Sequence, residues 1–218
     1  MRPIRAGIAA LLVLGLWLPG CRPLGTLVYF LGPRRMQKAE YKLTREKLAV
    51  LIETARPDQD NPVFTRALHE KLVEVFRERK VNTEVVPLEE VHRLRQENAD
   101  FARWSLPRVG RALGAAQVLY VRIERLQLRE GADSPVLAPT AQCRVKVLSV
   151  DELAEKPRLW PPETERDGRE IPCERHAQEA ADIEAIDSEA AKLGKDTAQL
   201  IAMPFYDVDL DERIPPEK

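Results

Sequence analysis

Five consecutive apolar residues, Leu48-Ala49-Val50-Leu51-Ile52, open the first patterned stretch of the chain and stop at Glu53-Thr54. A continuous run of this length reads as a strand covered on both faces, and so as a central one. Asp60-Asn61-Pro62 follows as a capping signal with proline in the first helical turn, and Phe64, Leu68, Leu72, Val75 and Phe76 recur at helical spacing. The other face of that helix carries Arg66, Glu70, Lys71, Glu74, Arg77 and Glu78, a solvated charge pattern. A short strand is predicted over 83–86. Pro87 stops it before a helix over 88–98 with Val91 and Leu94 inward, and a further helix over 106–113 ends at Gly114.

Alternation returns at Leu119, Val121 and Ile123, then slips one position to Leu126 and Leu128, the mark of a bulge. Its partner is expected over 140–150 with Ala141, Cys143, Val145 and Val147 inward, making a long antiparallel hairpin across a connection of about ten residues. Residues 156–182 hold four prolines and many charges, so only Leu159-Trp160 suggests a short edge strand and an exposed insertion is expected over about 161–186. Ser188 reads as the cap of a last helix, with Leu193, Leu200 and Ile201 on one side and Ala190, Ala191 and Ala198 allowing close packing before Pro204. The expected fold class is α/β, a single mixed sheet of four or five strands with a central antiparallel hairpin, packed by three or four helices. The domain spans residues 46–206, and an acidic, mobile tail follows over 207–218.

The first twenty residues follow a different pattern. Arg2 and Arg5 precede an apolar run over 8–17 that is too short to span a bilayer core of about 30 Å, the layout of an export signal. The run ends in Leu18-Pro19-Gly20-Cys21, which resembles the lipobox of bacterial lipoproteins. The resemblance implies cleavage before Cys21 and a diacylglycerol on its thiol, so 1–20 is the leader and 21–45 a lipidated terminus and tether. Arg22 stands where that family often has an inner-membrane retention Asp, which points to the outer membrane facing the periplasm. Residues 24–31 (LGTLVYFL), followed by Pro33-Arg34-Arg35, either lie on the headgroup layer or pack on the domain.

Composition narrows the partners. Lys plus Arg number 34 against 35 Asp plus Glu, a formal charge of -1 that gives no broad basic field for nucleic acid. With Cys21 lipidated, Cys143 and Cys173 remain. Export permits a disulfide between them if the segment around Cys173 folds back across the sheet, although the alternation places Cys143 in the core. His69, His92 and His176 stand apart from one another, and no metal site or cofactor is expected.

The order strand, helix, strand, helix, hairpin, edge strand, helix is similar to a superfamily of periplasmic lipoprotein domains. It includes the secretion lipoprotein CsgG, the LpoB-type activators of peptidoglycan synthases and the N-terminal domain of TolB. The resemblance is carried by LAVLIET with its capped helix, by residues 110–120 (GRALGAAQVLY), and by Leu200-Ile201-Ala202 before Phe205-Tyr206. It implies a lipid-anchored envelope protein that assembles or binds a protein partner without chemistry of its own, or else a subunit of a CsgG-type pore. An envelope hydrolase is the remaining alternative. Glu53, Asp58 and Asp60 lie where the first strand opens toward its helix, a place where α/β sheets bind ligands, yet Asp60 already has work as a turn or cap residue. The four serines, at 105, 134, 149 and 188, sit in no nucleophile elbow, and no P-loop or zinc-protease motif occurs, so no enzyme is expected.

Overall fold

The computed structural model describes residues 36–82, 84–131, 134–151, 157–179 and 183–209. Leu18, Pro19, Gly20 and Cys21, the run over 24–31 and the tail beyond 209 lie outside the described residues. Two compact units are present, a small one whose described residues include strand β1 (Met36–Gln37) and the domain Lys38–Val208.

The sheet of the domain has six strands, which corrects the expected four or five. β2 (Leu48–Thr54) runs parallel to β3 (Gln117–Arg129), which pairs antiparallel with β4 (Val136–Ser149). The far edge of β4 is shared by three short strands, β5 (Arg158–Trp160), β6 (Arg169–Glu174) and β7 (Gln178–Glu179). β6 falls within the segment expected to be exposed loop. The connection between β3 and β4 is shorter than expected because β4 begins at Val136.

Among the described residues four α-helices pack on this sheet: α1 (Pro62–Glu78), α2 (Leu88–Glu97), α3 (Leu106–Ala112) and α4 (Ile183–Ala202). Strand alternation sorts the core into two parts. Leu48, Val50, Ile52, Leu119, Val121 and Ile123 face α1 and α4, meeting Phe64, Leu68, Leu72, Leu193 and Ile201. Ala49, Leu51, Val118 and Val150 face the other way, toward Val91, Phe101, Val109 and Leu113. The apolar run of β2 is therefore buried on both faces, as its composition demands, but β2 is not central. It ends the sheet, and beyond it, among the described residues, only Val85 makes a bridge, to Leu48. Of the strand expected over 83–86, residues 84–86 are described and hold that bridge, with Leu48 N–H donating to Glu84 C=O at 2.8 Å and Val86 N–H to Leu48 C=O at 2.9 Å.

Local signals place the helix starts. Asn61 Oδ1 accepts from Phe64 N–H at 2.9 Å, with Pro62 in the first turn of α1. Gly114 has φ +66°, the left-handed stop that the sequence requires after α3. α4 begins five residues before the expected Ser188 cap. It is fixed to the sheet by Arg175, which follows β6 and donates to Glu189 at 3.1 Å while also pairing with Asp196. Glu189 is buried and has a second partner in Lys192 at 2.7 Å, so its charge is compensated.

Cys143 and Cys173 are both buried and both free. The β4–β6 ladder sets Ala141 opposite Cys173 and Cys143 opposite Ile171. The thiols are thus diagonal neighbours on one face, where typical separations of about 7–8 Å exceed the Cβ distance of about 4 Å that a disulfide needs. Burial pushes the Cys143 thiol up to about 12, so it stays protonated and inert.

Candidate binding cleft at the carboxyl end of β2

β2 ends at Glu53-Thr54, a short turn over Pro57–Gln59 follows, and α1 begins at Pro62. With α2 on the far side, these segments enclose a cleft of about 630 Å³. Ile52, Leu88, Val91 and Phe101 supply apolar wall, while Glu53, Arg66, His92 and Arg95 supply polar edge. A concave surface with few convergent polar groups is the usual form of a small-ligand site.

Glu53 is the best-positioned of the three acids singled out from the sequence. The pleat points it to the same face as Leu51, and its Oε2 accepts from the Tyr120 hydroxyl at 2.8 Å. Arg95 Nη2 lies 3.9 Å from its other oxygen. Burial, reinforced by the hydrogen bond to the Glu53 carboxylate, holds the Tyr120 hydroxyl well above its usual range. Tyr120 therefore acts as a fixed donor, and Lys146 Nζ sits 5.1 Å from its ring centroid. Burial pulls the Lys146 ammonium below its usual value, with Arg158 and Arg122 adding repulsion. Glu53 is in this way a held carboxylate with both oxygens engaged, suited to orienting a ligand's donor groups or the rim itself.

Asp60 also lines the cleft, but Asp58 does not. The structure thus brings two of the three acids into the lining of this cleft and leaves the third outside it. Tyr120, Arg95 and Phe101 were not singled out from the sequence. Arg95 does stand four residues after Val91 on α2, so helical spacing alone would have set it on the cleft side. Arg95 lies over the Phe101 ring at 5.2 Å and Arg108 over Trp104 at 4.1 Å, so this rim of the domain is braced by cations on aromatic faces.

His92 and His176 are exposed, and His69 is buried on α1. Among the described residues no group of three His, Cys, Asp or Glu could hold a metal ion. No helix among them is long and apolar enough to cross a membrane.

No family model and no curated protein matches the chain. Among solved structures it is similar to a PelC dodecamer from Paraburkholderia phytofirmans, at 14% identity and TM-score 0.41, covering 81% of this chain and 99% of that one. It is also similar to protein XCC0632 from Xanthomonas campestris, of family DUF330, at 12% identity and TM-score 0.43, covering 73% and 83%. The lipoprotein GNA1162 from Neisseria meningitidis aligns at 12% identity and TM-score 0.41, covering 70% and 98%. The LpoB C-terminal domain from Salmonella enterica is among the matches at TM-score 0.33, whereas the expected resemblance to CsgG and TolB is not supported. All of these likenesses are too distant to assign a function, which has to come from the residues of this chain.

Proposed function

We propose that this chain is a lipid-anchored protein of the bacterial cell envelope whose α/β domain binds a partner protein there and performs no chemistry of its own. The observation that carries this reading is Cys21, set directly behind Leu18-Pro19-Gly20 and an apolar run with arginines before it. Each methylene buried in a bilayer contributes about 0.8 kcal/mol, and two or three palmitate-like chains hold a soluble domain where one does not. The absence of Asp at position 22, occupied by Arg22, favours the outer membrane. The braced cleft at the end of β2 is the candidate contact surface for the partner, with Glu53 and Arg95 as its charged edge.

Fractionation of cells producing the full chain tests this. The wild type is expected in the membrane fraction, and Cys21→Ala in the soluble fraction with an unchanged circular-dichroism melt. Membrane association that survives Cys21→Ala overturns the lipid tether.

A further inference from the structure

α2 and α3 cover only one end of their side of the sheet, the end formed by Ala49, Leu51, Val118 and Val150. Further along the hairpin the outward positions are polar, Arg122, Arg125 and Gln127 on β3 with Arg144, Gln142 and Thr140 on β4. The β3–β4 register sets Arg122 directly opposite Arg144, a like-charge pair that costs stability on a sheet face. Their side chains are 50% and 34% exposed, and Glu124 lies 3.5 Å from the first and 3.7 Å from the second. Glu170, opposite Arg144 on β6, is 3.7 Å away.

Beside this pair lies a groove of about 800 Å³ lined by Arg56, Arg125, Arg129 and Arg144, with Glu124 as the sole acid among the described residues of its lining. Arg56 and Arg129 have no carboxylate partner among the described residues. In a chain of formal charge -1 this is a local concentration of cations and not an average property. It is also a built one. The bulge between Ile123 and Arg125 re-aims β3, and Gln59 Oε1 accepts from Leu126 N–H at 3.0 Å to hold the kink. Gln127 accepts from Arg125 Nη2 at 3.2 Å and donates to the Arg129 backbone carbonyl at 2.7 Å, holding the Arg125 side chain and the strand end beside it.

We propose that this groove binds a carboxylate-bearing polysaccharide of the polyuronate class. Guanidinium forks match carboxylates in bidentate geometry, and a row of them along one strand suits a polymer that repeats its charge. The described residues of the lining offer one apolar side chain, Leu126, itself only 7% exposed, so among them the aromatic and aliphatic anchors that dominate protein interfaces are absent. Nor do the described residues of the lining include an aromatic platform for stacking bases. A hydroxylated chain with regularly spaced acids fits both facts. The site is distinct from the cleft at the end of β2 and does not require the lipid anchor.

The test is binding of a fluorescent oligogalacturonate of about ten units to the full chain in detergent micelles. Neutral maltooligosaccharide and polyglutamate of matching length are the comparison probes. Oligogalacturonate is expected to bind more tightly than either, less so as salt rises, and equally to Cys21→Ala. The double variant Arg125→Glu/Arg129→Glu is expected to weaken binding by about tenfold or more, and Arg125→Ala/Arg129→Ala by less. Charge reversal at the exposed Arg93 and Arg103 is expected to change it by no more than about twofold. Absence of oligogalacturonate binding, equal or tighter binding of polyglutamate, or full binding by the double variants overturns the proposal. Loss of membrane association in Cys21→Ala with galacturonate binding retained separates this site from the anchor.

Discussion

His69 sits on α1 with 5% of its surface exposed, and its Nε2 has no hydrogen-bond partner among the described residues. Burial pulls its pKa below the ordinary histidine value, outweighing the hydrogen bond to the Val86 backbone and the nearby Glu89 and Glu70 carboxylates. An imidazolium there would hold an N–H with nothing to receive it. The unfolded chain takes up that proton near pH 6.5 while the folded chain resists it to lower pH. The stability contributed by neutral His69 is therefore complete above about pH 6.5 and is lost as pH falls below it. Melting temperatures between pH 7.5 and 5.5 are expected to fall more steeply for the wild type than for His69→Gln, and equal slopes would contradict the assignment. This role was hidden in the sequence, since a histidine between Leu68 and Glu70 falls at the border of the apolar stripe and only tertiary packing decides its side. Cys143 was legible for the opposite reason, since alternation alone fixes its face.

At the scale of elements, α1 and α4 meet through Gly194. A Cβ at that position would lie 2.6 Å from the Phe64 carbonyl oxygen and 3.1 Å from Leu68 N, both backbone atoms that cannot swing aside. Helix propensity by itself favours Ala over Gly by about 1 kcal/mol, so the sign of Gly194→Ala discriminates. The close approach is expected to prevail, with a net loss of about 1–3 kcal/mol and a melting temperature lower by several degrees. A variant as stable as the wild type would mean the helices can part without cost. The main elements were legible because their periodicity is local: α1, α3 and the slipped alternation of β3 stand where it puts them. β6 was not, because Arg169–Glu174 offers only Ile171 and Cys173 inward and carries Pro172, which reads as loop and is tolerated here in a short strand. The place of β2 was also hidden. Burial of both faces says nothing about neighbours within the sheet, and helices on either side suffice to bury an end strand.

For the molecule as a whole, the two faces of one sheet are covered differently. One is sealed by α1 and α4 into the larger core, and the other is sealed only where α2 and α3 reach it. What remains open is polar and rich in arginine, and its arginines come from β3, β4 and a loop before α1. No sequence window holds Arg56, Arg129 and Arg144 together, so the groove exists only through strand register and a bulge. The cleft at the end of β2 was half legible, since Glu53 and Asp60 mark it while Tyr120 and Arg95 reach it from distant segments. The proposed lipidation of Cys21, by contrast, rests on four adjacent letters. The proposed place of the protein in the envelope depends on that residue, and intact-mass analysis of the protein extracted from membranes in detergent tests it most directly. The predicted result is a chain that starts at Cys21 and carries the added mass of a diacylglycerol. A chain that retains residues 1–20, or a Cys21 thiol without lipid, would contradict it.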